Sequence, residues 1–214
     1  YIHFTELDNQ IANIKYKSYG KDVIGTEEQA YNSFTQTMNY FSGSQNIKFA
    51  MGFKKYMGIR TNFLYNSSSL LKLASDLILK YKHEKVLIYT MRQEIADKLS
   101  NITYHSKSKN EVDLDNFKIS TNGHLSVVNC VQAGVTIKNL NRVIFHTYES
   151  NTEIFYQKLG RSLLYEFKGE VSNIHICVLR GTQMEKWANN ACKALEQDKI
   201  VYHLNGNTYN KVEW

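Results

Sequence analysis

The chain has 214 residues, of which 43% are hydrophobic and 21% charged, so it is long enough to bury a core and too apolar for a disordered chain. It contains no apolar run of the roughly 18 residues that a membrane helix needs, and its three separated cysteines exclude a disulfide scaffold and a standard zinc site. The net charge of +6 favours a polyanionic partner such as nucleic acid.

The beginning of the chain indicates part of a longer protein. The first residue is Tyr1 rather than Met, and no signal-peptide pattern follows. The cysteines show no pairing pattern, which is typical of a reducing compartment. We therefore expect a piece of a longer cytoplasmic protein, without contact to a membrane. The absence of Pro beside many Asn, Lys, Ile and Tyr indicates a low-GC genome, bacterial or viral, and so a bacterial cell or a phage-infected host.

Residues 1 to about 60 form a polar zone, rich in Tyr and Lys, in which one helix stands out. Thr26 and Gln29 make a capping box, and apolar residues follow at helical spacing up to Gly43, the predicted end. The segment Ile2 to Tyr19 is typical of one or two strands. This zone therefore predicts an extension of helix and strand.

From about residue 62 the sequence alternates between helix and strand patterns. The apolar run from Val86 to Tyr89 predicts a buried parallel strand. Ser67 is the predicted cap of the helix before it, and Thr90 with Gln93 the predicted capping box of the helix after it. Further strands are predicted at 102–104, 125–128, 143–145 and 174–178, and further helices at 112–117, 152–164 and 183–196. This alternation predicts βαβ units and a parallel sheet, which is an α/β fold.

Two segments outside this alternation are also informative. Asn205-Gly206, between two β-prone runs, predicts a hairpin within residues 199–214. The segment 48–60 combines cations and aromatic rings, as a nucleic-acid platform does, although we favour a linker strand or a helix packed on the core. The residues concerned are Lys48, Phe49, Phe53, Lys54, Lys55, Tyr56 and Arg60.

Several well-known catalytic patterns are missing from the sequence. It has no G-x-x-x-x-G-K-S/T loop and no G-x-G-x-x-G after a strand, so it lacks the usual cradle for a nucleoside triphosphate. It also has no H-E-x-x-H and no G-x-S-x-G, which disfavours a metalloprotease and an α/β-hydrolase. The seven His are scattered, and a His at a strand end such as His146 is more often structural than a metal ligand.

The most informative stretch is 125–165, whose last helix contains Gln157, Gly160 and Arg161. This helix opens after a parallel strand, at the sheet edge where α/β proteins bind ligands. Arg161 can present a planar charged fork to phosphate oxygens, and Gln157 lies one turn earlier on the same face. Gly160 allows a backbone or a phosphate to approach closely. The alternative is a surface helix with a solvated Arg and a packing Gly, and these residues alone leave both interpretations open.

Residues Gln157 to Arg161 resemble motif VI of the superfamily 2 helicases, and other segments resemble further motifs of that family, in the right order, over about residues 60–196. Val86 to Thr90 with Ala96 to Leu99 is similar to motif IV, Tyr104 to Lys107 to the strand and loop after it, Asn129 to Thr136 to motif V, and Arg142 to Phe145 to the strand before motif VI. Thr182, Gln183 and Trp187 resemble the helix after motif VI in the phage-type and translocase-like branch. The chain thus resembles the C-terminal RecA-like domain of a helicase or translocase.

This resemblance implies a three-layer RecA-like fold for residues 61–198, a parallel sheet flanked by helices. Residues 1–60 would join it to a first RecA-like domain outside the chain, and residues 199–214 would add a hairpin. ATP with Mg²⁺ would bind mainly to that first domain, which holds the phosphate loop. This chain alone would then be inactive.

The resemblance also implies a role for individual residues. Arg161 would be the arginine finger, a group that is worth roughly 10³–10⁵ in rate in other phosphoryl-transfer systems, and Gln157 would orient it or contact the phosphates. The nucleotide cleft would be lined by Gly134, Thr136, Gly160 and Arg161. A nucleic-acid track, for DNA rather than RNA, would be lined by Thr90, Arg92, His105, Ser106 and Lys107, whose hydroxyls and cations would bind phosphates without reading sequence.

Two positions depart from the family pattern. Leu164 stands where motif VI usually has a second Arg, and Thr136 stands where motif V usually has Asp or Asn. The first departure leaves open a degenerate RecA-like module that binds nucleic acid or a protein without hydrolysing ATP. A third alternative, an unrelated α/β enzyme, would need a catalytic cluster, and the sequence shows none.

Overall fold

The computed structural model describes residues 1–43, 46–108, 111–128, 137, 139–148, 150–163, 173–193, 195–204 and 207–209. The chain forms two compact units. The first, here called the sheet unit, consists of Tyr1–Thr5 and Leu70–Trp214, and the second, the helical unit, is Glu6–Ser69.

The helices and strands follow one another as β1 (Ile2–Thr5), β2 (Ile14–Ser18), β3 (Lys21–Gly25), α1 (Glu27–Ser42), α2 (Ile47–Tyr65), α3 (Ser68–Lys80), β4 (Lys85–Thr90), α4 (Gln93–Leu99), β5 (Ile102–Tyr104), α5 (Glu111–Ile119), β6 (Gly123–Val128), β7 (Arg142–Phe145), α6 (Thr152–Leu163), β8 (Asn173–Leu179), α7 (Gln183–Cys192), a short 3₁₀ helix (Gln197–Lys199), β9 (Tyr202–Leu204) and β10 (Asn207–Tyr209). Among the described residues, no helix combines the length and the apolar character that crossing a bilayer requires.

Eight strands of the sheet unit form one sheet in the order β10-β9-β1-β8-β7-β4-β6-β5. All neighbours are parallel except β9 and β10, which pair antiparallel. The α/β fold and the parallel sheet predicted from the sequence are therefore confirmed. The paired strands β9 and β10 agree with the predicted hairpin, while its turn residues Asn205 and Gly206 lie outside the described residues.

Helices flank this sheet, and each of them buries an apolar stripe. Buried members of these stripes are Leu70, Ala74 and Leu77 in α3, Ile95, Ala96 and Leu99 in α4, Leu114 and Phe117 in α5, Phe155 and Leu159 in α6, and Met184 and Ala188 in α7. Burial of such stripes supplies most of the free energy that holds helices to a sheet.

Strand β1 lies inside the main sheet, between β8 and β9, although the sequence analysis placed it in the N-terminal extension. Ile2 pairs with Ile176 on one side and with Tyr202 on the other. The sequence of a four-residue strand does not indicate which strands it pairs with, and here these lie more than 170 residues away, so the place of β1 was not predictable from periodicity.

A polar row crosses the strands β7, β8, β1 and β9 near their amino ends. Arg142 Nη1 donates to His175 Nε2 at 3.1 Å, so the other nitrogen of His175, Nδ1, carries the proton and donates to His3 Nε2 at 2.8 Å. The ring of His3 in turn stacks on that of His203, with centroids 4.5 Å apart. Burial, the main cause, lowers the pKa of His3 to about 3 and that of His175 to about 2, so both rings are neutral at pH 7.

One predicted helix start is wrong. Helix α4 begins at Gln93 with Arg92 as its N-cap, and no side chain caps it, whereas the sequence predicted a capping box of Thr90 and Gln93. Thr90 instead remains in β4, where it pairs with Val128 of β6, and its Oγ1 accepts a hydrogen bond from Arg92 N. For Thr90, pairing in the sheet is therefore more favourable than capping the helix. The corresponding box of Thr26 and Gln29 is confirmed.

In the helical unit, α1 packs against α2 through aromatic rings. Phe41 contacts Phe49 and Tyr56, with ring centroids 5.5 and 5.8 Å apart. A Cβ on Gly52 would lie 2.6 Å from the ring of Phe41, so only glycine allows this approach. The segment 48–60 is therefore helical, and its rings Phe49 and Tyr56 pack on α1.

Glu27 is a buried carboxylate that joins the start of α1 to the start of α3. It accepts hydrogen bonds from Ser68 N at 2.6 Å, from the hydroxyls of Ser67, Ser68 and Ser69 at 3.1, 2.8 and 2.6 Å, and from Asp8 N at 3.3 Å. Burial by itself would raise the pKa of Glu27, but these hydrogen bonds outweigh it and hold the pKa below its ordinary value. Ser67 directly precedes α3, as predicted, and its hydroxyl donates a hydrogen bond to Glu27.

We expect Glu27→Gln to lower the free energy of unfolding by about 1–3 kcal/mol, because the amide nitrogen cannot accept from the serine donors. The loss is measurable by urea denaturation at pH 7. Since the folded pKa of Glu27 is lowered, its contribution is present above the unfolded pKa and fades as the pH falls through the folded pKa, so the difference narrows in acid.

Glu28→Gln is the matched control, because Glu28 lies next to Glu27 in the first turn of α1 and is exposed. Equal destabilisation by the two substitutions would contradict the role given to Glu27.

Candidate functional site

The carboxyl ends of β4, β5, β6, β7 and β8 share one edge of the sheet, because these strands are parallel. We call it the carboxyl edge. In the described part of the chain it carries residues 91–93 after β4, 105–108 after β5, 146–148 after β7 and 180–182 after β8. Open α/β sheets bind their ligands outside this edge.

The segments that follow β4 and β5 contact each other directly. Gln93 Nε2 donates to Ser106 Oγ at 2.6 Å, across the position of β6. Around this bridge, Ser106 and Lys107 have exposed side chains and Arg92 is half-buried. The structure thus brings the predicted track residues of both segments to one place.

Two of the predicted track residues are buried. Thr90 is 1% exposed, and His105 is 3% exposed. His105 Nδ1 accepts from Lys107 N at 3.3 Å, so its Nε2 carries the proton and donates to Asp97 Oδ1 at 2.9 Å. His105 therefore fixes the loop that carries Lys107, while the ring itself faces α4.

A second link joins the segments after β4 and β7, which the sequence analysis did not anticipate. Met91 N donates to Thr147 Oγ1 at 2.7 Å, and the backbone N–H of both His146 and Thr147 is directed to Tyr89 O. These bonds continue the pairing of β4 and β7 beyond the strands. The carboxyl edge is consequently a connected structure rather than a row of separate loops.

Helix α6 is anchored to this edge through its first two turns. Asn151 caps the helix, since its Oδ1 accepts from Glu153 N at 2.9 Å. Phe155 is fully buried, and its ring lies 5.0 Å from that of Phe145 and 5.7 Å from that of Tyr148. Leu159, one turn later, is buried on the same side.

The anchoring of α6 leaves Gln157 and Gly160, two of the predicted motif VI residues, on the rest of its surface. Gln157 is exposed, and a Cβ added to Gly160 would meet no atom of the described residues within 4 Å. Arg161 belongs to α6 and follows Gln157 by one turn. Gly134, Thr136 and Leu164 lie outside the described residues, as does the whole motif V segment 129–136.

Arg180 is a candidate binding residue that the sequence analysis missed. It is exposed directly after β8, so its cation belongs to the carboxyl edge. The following Thr182 caps α7, accepting from Met184 N at 3.1 Å and donating to Leu179 O at 2.7 Å. The available signal was a cation two residues after the end of the predicted strand 174–178.

His146, at the end of β7, is fully buried, and neither ring nitrogen has a hydrogen-bond partner among the described residues. Burial lowers the pKa of His146 to about 3, so the ring is neutral at pH 7. In the described residues no group of three or more His, Cys, Asp or Glu is placed to hold a metal ion.

No protein-family model matches the chain, and neither does any curated protein. Among solved structures, the Sulfolobus solfataricus SWI2/SNF2 ATPase C-terminal domain is similar, with a TM-score of 0.55 and 14% identity over 81% of this chain and 84% of that one. The C-terminal part of the Fun30 ATPase domain has a TM-score of 0.55 and 11% identity over 91% of this chain and 90% of that one.

A third similar structure is the Sulfolobus solfataricus SWI2/SNF2 ATPase core in complex with dsDNA, with a TM-score of 0.56 and 12% identity. The match covers 88% of this chain but only 43% of that one. The chain thus has the three-layer RecA-like fold that the sequence predicts, as the similar C-terminal ATPase domains do, and it spans less than half of the ATPase core that it matches.

We expect His146→Leu to weaken the dependence of stability on pH. The unfolded chain binds a proton at this position below the ordinary pKa of 6.5 and the folded chain only below about 3, so wild-type stability falls as the pH drops between these values. One such histidine contributes at most about 1.4 kcal/mol per pH unit to the slope of the free energy of unfolding against pH. Urea denaturation at pH 7 and pH 5 measures the slope.

The exposed His83, in the turn before β4, provides the control His83→Leu, which should keep the wild-type slope. If His146→Leu kept that slope too, the buried ring would have an ordinary pKa, contrary to its environment.

Proposed function

We propose that this chain is the C-terminal half of an ATP-dependent superfamily 2 helicase or translocase of the cytoplasm, and that it is inactive without the half that carries the phosphate loop. One observation supports this most strongly. A helix with the motif VI residues Gln157, Gly160 and Arg161 is anchored at the carboxyl edge of a sheet with the fold of SWI2/SNF2 C-terminal ATPase domains.

In this proposal Arg161 is the arginine finger. An always-charged guanidinium near the transferring phosphoryl group stabilises the negative charge that develops there. Gln157 orients Arg161 or contacts the phosphates. The open space beside Gly160 suits the close approach of a phosphate or of the first domain.

ATP with Mg²⁺ is the proposed cofactor, held mainly by the first domain, because this sequence has no phosphate loop. The contribution of this chain is the proposed set of Gly134, Thr136, Gly160 and Arg161. An exposed Gln157 and an uncrowded Gly160 fit a nucleotide that is shared between two domains.

Nucleic acid is the proposed partner of the segments after β4 and β5, with DNA preferred to RNA. Lys107 and Ser106 are exposed beside Arg92, and cations with hydroxyls bind phosphates without reading bases. Thr90 and His105 support these segments from beneath, through the bonds to Arg92 N and Lys107 N. A similar ATPase core was solved with double-stranded DNA, which favours this choice.

Leu164 favours a second candidate, a RecA-like module that binds nucleic acid or a protein without hydrolysing ATP. It replaces the second Arg of motif VI, so Arg161 would have to act alone in an active enzyme. The sequence upstream of Tyr1 discriminates between the candidates, because the enzyme requires a phosphate loop and an Asp-Glu pair there.

We expect Arg161→Ala, in the protein with both halves, to lower DNA-stimulated ATP turnover by about 10³-fold or more, because the transferring phosphoryl group loses its cation. A steady-state ATPase assay measures this. The isolated chain should show no turnover, with or without DNA.

Lys186→Ala removes an exposed cation from α7 and serves as the matched control, with wild-type turnover expected. Wild-type turnover of Arg161→Ala would remove the proposed finger, and turnover by the isolated chain would contradict the two-half arrangement.

We expect Gly160→Ala to raise the stability of the protein and to lower its ATP turnover. Alanine is a better helix former than glycine by about 1 kcal/mol, and its Cβ would meet no atom of the described residues within 4 Å, so the free energy of unfolding should rise. ATP turnover of the two-half protein should fall, because the methyl group keeps the phosphate or the first domain at a distance.

Gly58→Ala is the control for the helix effect, since Gly58 lies in α2 and a Cβ there also meets open space. It should raise stability and leave turnover unchanged. If Gly160→Ala behaved in the same way, close approach at Gly160 would be disproved.

A further inference from the structure

The hairpin of β2 and β3 in the helical unit has an unusual tip. Its strands pair from Ile14 with Gly25 to Ser18 with Lys21, which leaves Tyr19 and Gly20 as a two-residue turn. Both have positive φ, +49° for Tyr19 and +80° for Gly20, as in a type I′ turn. Asn, Asp and Gly dominate such turns, so tyrosine at the first position is exceptional.

Tyr19 contributes nothing visible to the fold that would offset this strain. Its side chain is 85% exposed, and among the described residues none forms a hydrogen bond or a ring contact with it. The left-handed conformation costs a residue with a Cβ about 1–2 kcal/mol relative to its ordinary conformation. A strained residue without a packing role points to a use outside the fold.

The hairpin that carries this ring is rich in positive charge. Lys15 and Lys17 are exposed and, two residues apart, lie on the same face of β2, while Lys21 is exposed next to the tip. Between Ile14 and Gly25 the only acidic residue is Asp22. Its contact with Lys17, at 3.9 Å between largely exposed side chains, is too weak to neutralise the lysine.

We propose that the β2–β3 hairpin binds single-stranded nucleic acid, with the Tyr19 ring stacked on a base and with Lys15 and Lys17 on the phosphates. Stacking needs a base whose face is free, which an unpaired strand offers, and an aromatic ring among cations is the usual means of binding it. Protein interfaces, in contrast, are depleted of lysine. The inference rests on the proposed function only for the class of partner, which is nucleic acid, and it does not involve the ATPase activity.

The test measures binding of fluorescein-labelled oligo(dT), oligo(U) and a DNA duplex to the whole chain by fluorescence anisotropy. Tyr19→Gly should weaken binding of at least one single strand by about fivefold or more, because the stacked ring is lost. Tyr19→Phe keeps a ring and should restore affinity. Glycine also relieves the strain at positive φ, so thermal unfolding of Tyr19→Gly should occur no earlier than in the wild type, which excludes misfolding as the cause.

Tyr40→Ala is the matched control, because Tyr40 is also an exposed tyrosine of the helical unit, at 70%, and lies in α1 with an ordinary φ. It should leave the affinity unchanged. Replacing Lys15 and Lys17 by Gln should reduce the dependence of log K on log salt by about 1.4, which is the value for two phosphate contacts on a single strand.

Wild-type affinity of Tyr19→Gly for both single strands would overturn the inference and leave the proposed function standing. The absence of any binding of single strands by the wild-type chain would also overturn it, as would an equal loss of duplex binding, since duplex bases are not free to stack. The proposed function fails separately, through ATP turnover of the Arg161 variant.

Discussion

The sheet unit depends on one strand that is buried on every side. All six residues of β4 are buried, and β4 pairs in parallel with β6 on one side and with β7 on the other. Even Lys85 is enclosed, and its ammonium donates to Lys118 O at 3.0 Å and to Ser120 O at 2.8 Å, at the end of α5. Burial lowers the pKa of Lys85 to about 8, and the carbonyl oxygens compensate the charge that remains.

The parallel pairing of β4 also determines where chemistry can occur. It brings the segments after β4, β5 and β7 to one edge, where Gln93 contacts Ser106 and Met91 contacts Thr147. Helix α6 is held to the same edge by the packing of Phe155 on Phe145. Rigid strands thus position the short polar segments from which the proposed nucleotide and nucleic-acid contacts are made.

Buried histidines make the stability of this arrangement depend on pH. His3, His175 and His146 are neutral in the folded chain because burial lowers their pKa values to about 3, 2 and 3. His175 and His3 are hydrogen-bonded in the polar row with Arg142, whose guanidinium also binds Glu84 and lies 3.8 Å from the ring centroid of Tyr81. His146 lacks such partners among the described residues, so it is the clearest case of a ring held neutral by burial alone.

Elements whose signals are local could be predicted from the sequence alone. The apolar run of β4 and the capping box of α1 depend on residues one to four positions apart, and hydrogen bonding within a helix has the same range. From these elements and the motif order the α/β class and the RecA-like fold followed. The tertiary structure alone decided the place of β1 between β8 and β9, the continuation of β4 through Thr90, the burial of His105 against Asp97 and the five hydrogen bonds of Glu27. Each of these depends on a partner or on burial that is settled only once distant segments meet, and neither periodicity nor composition contains that information.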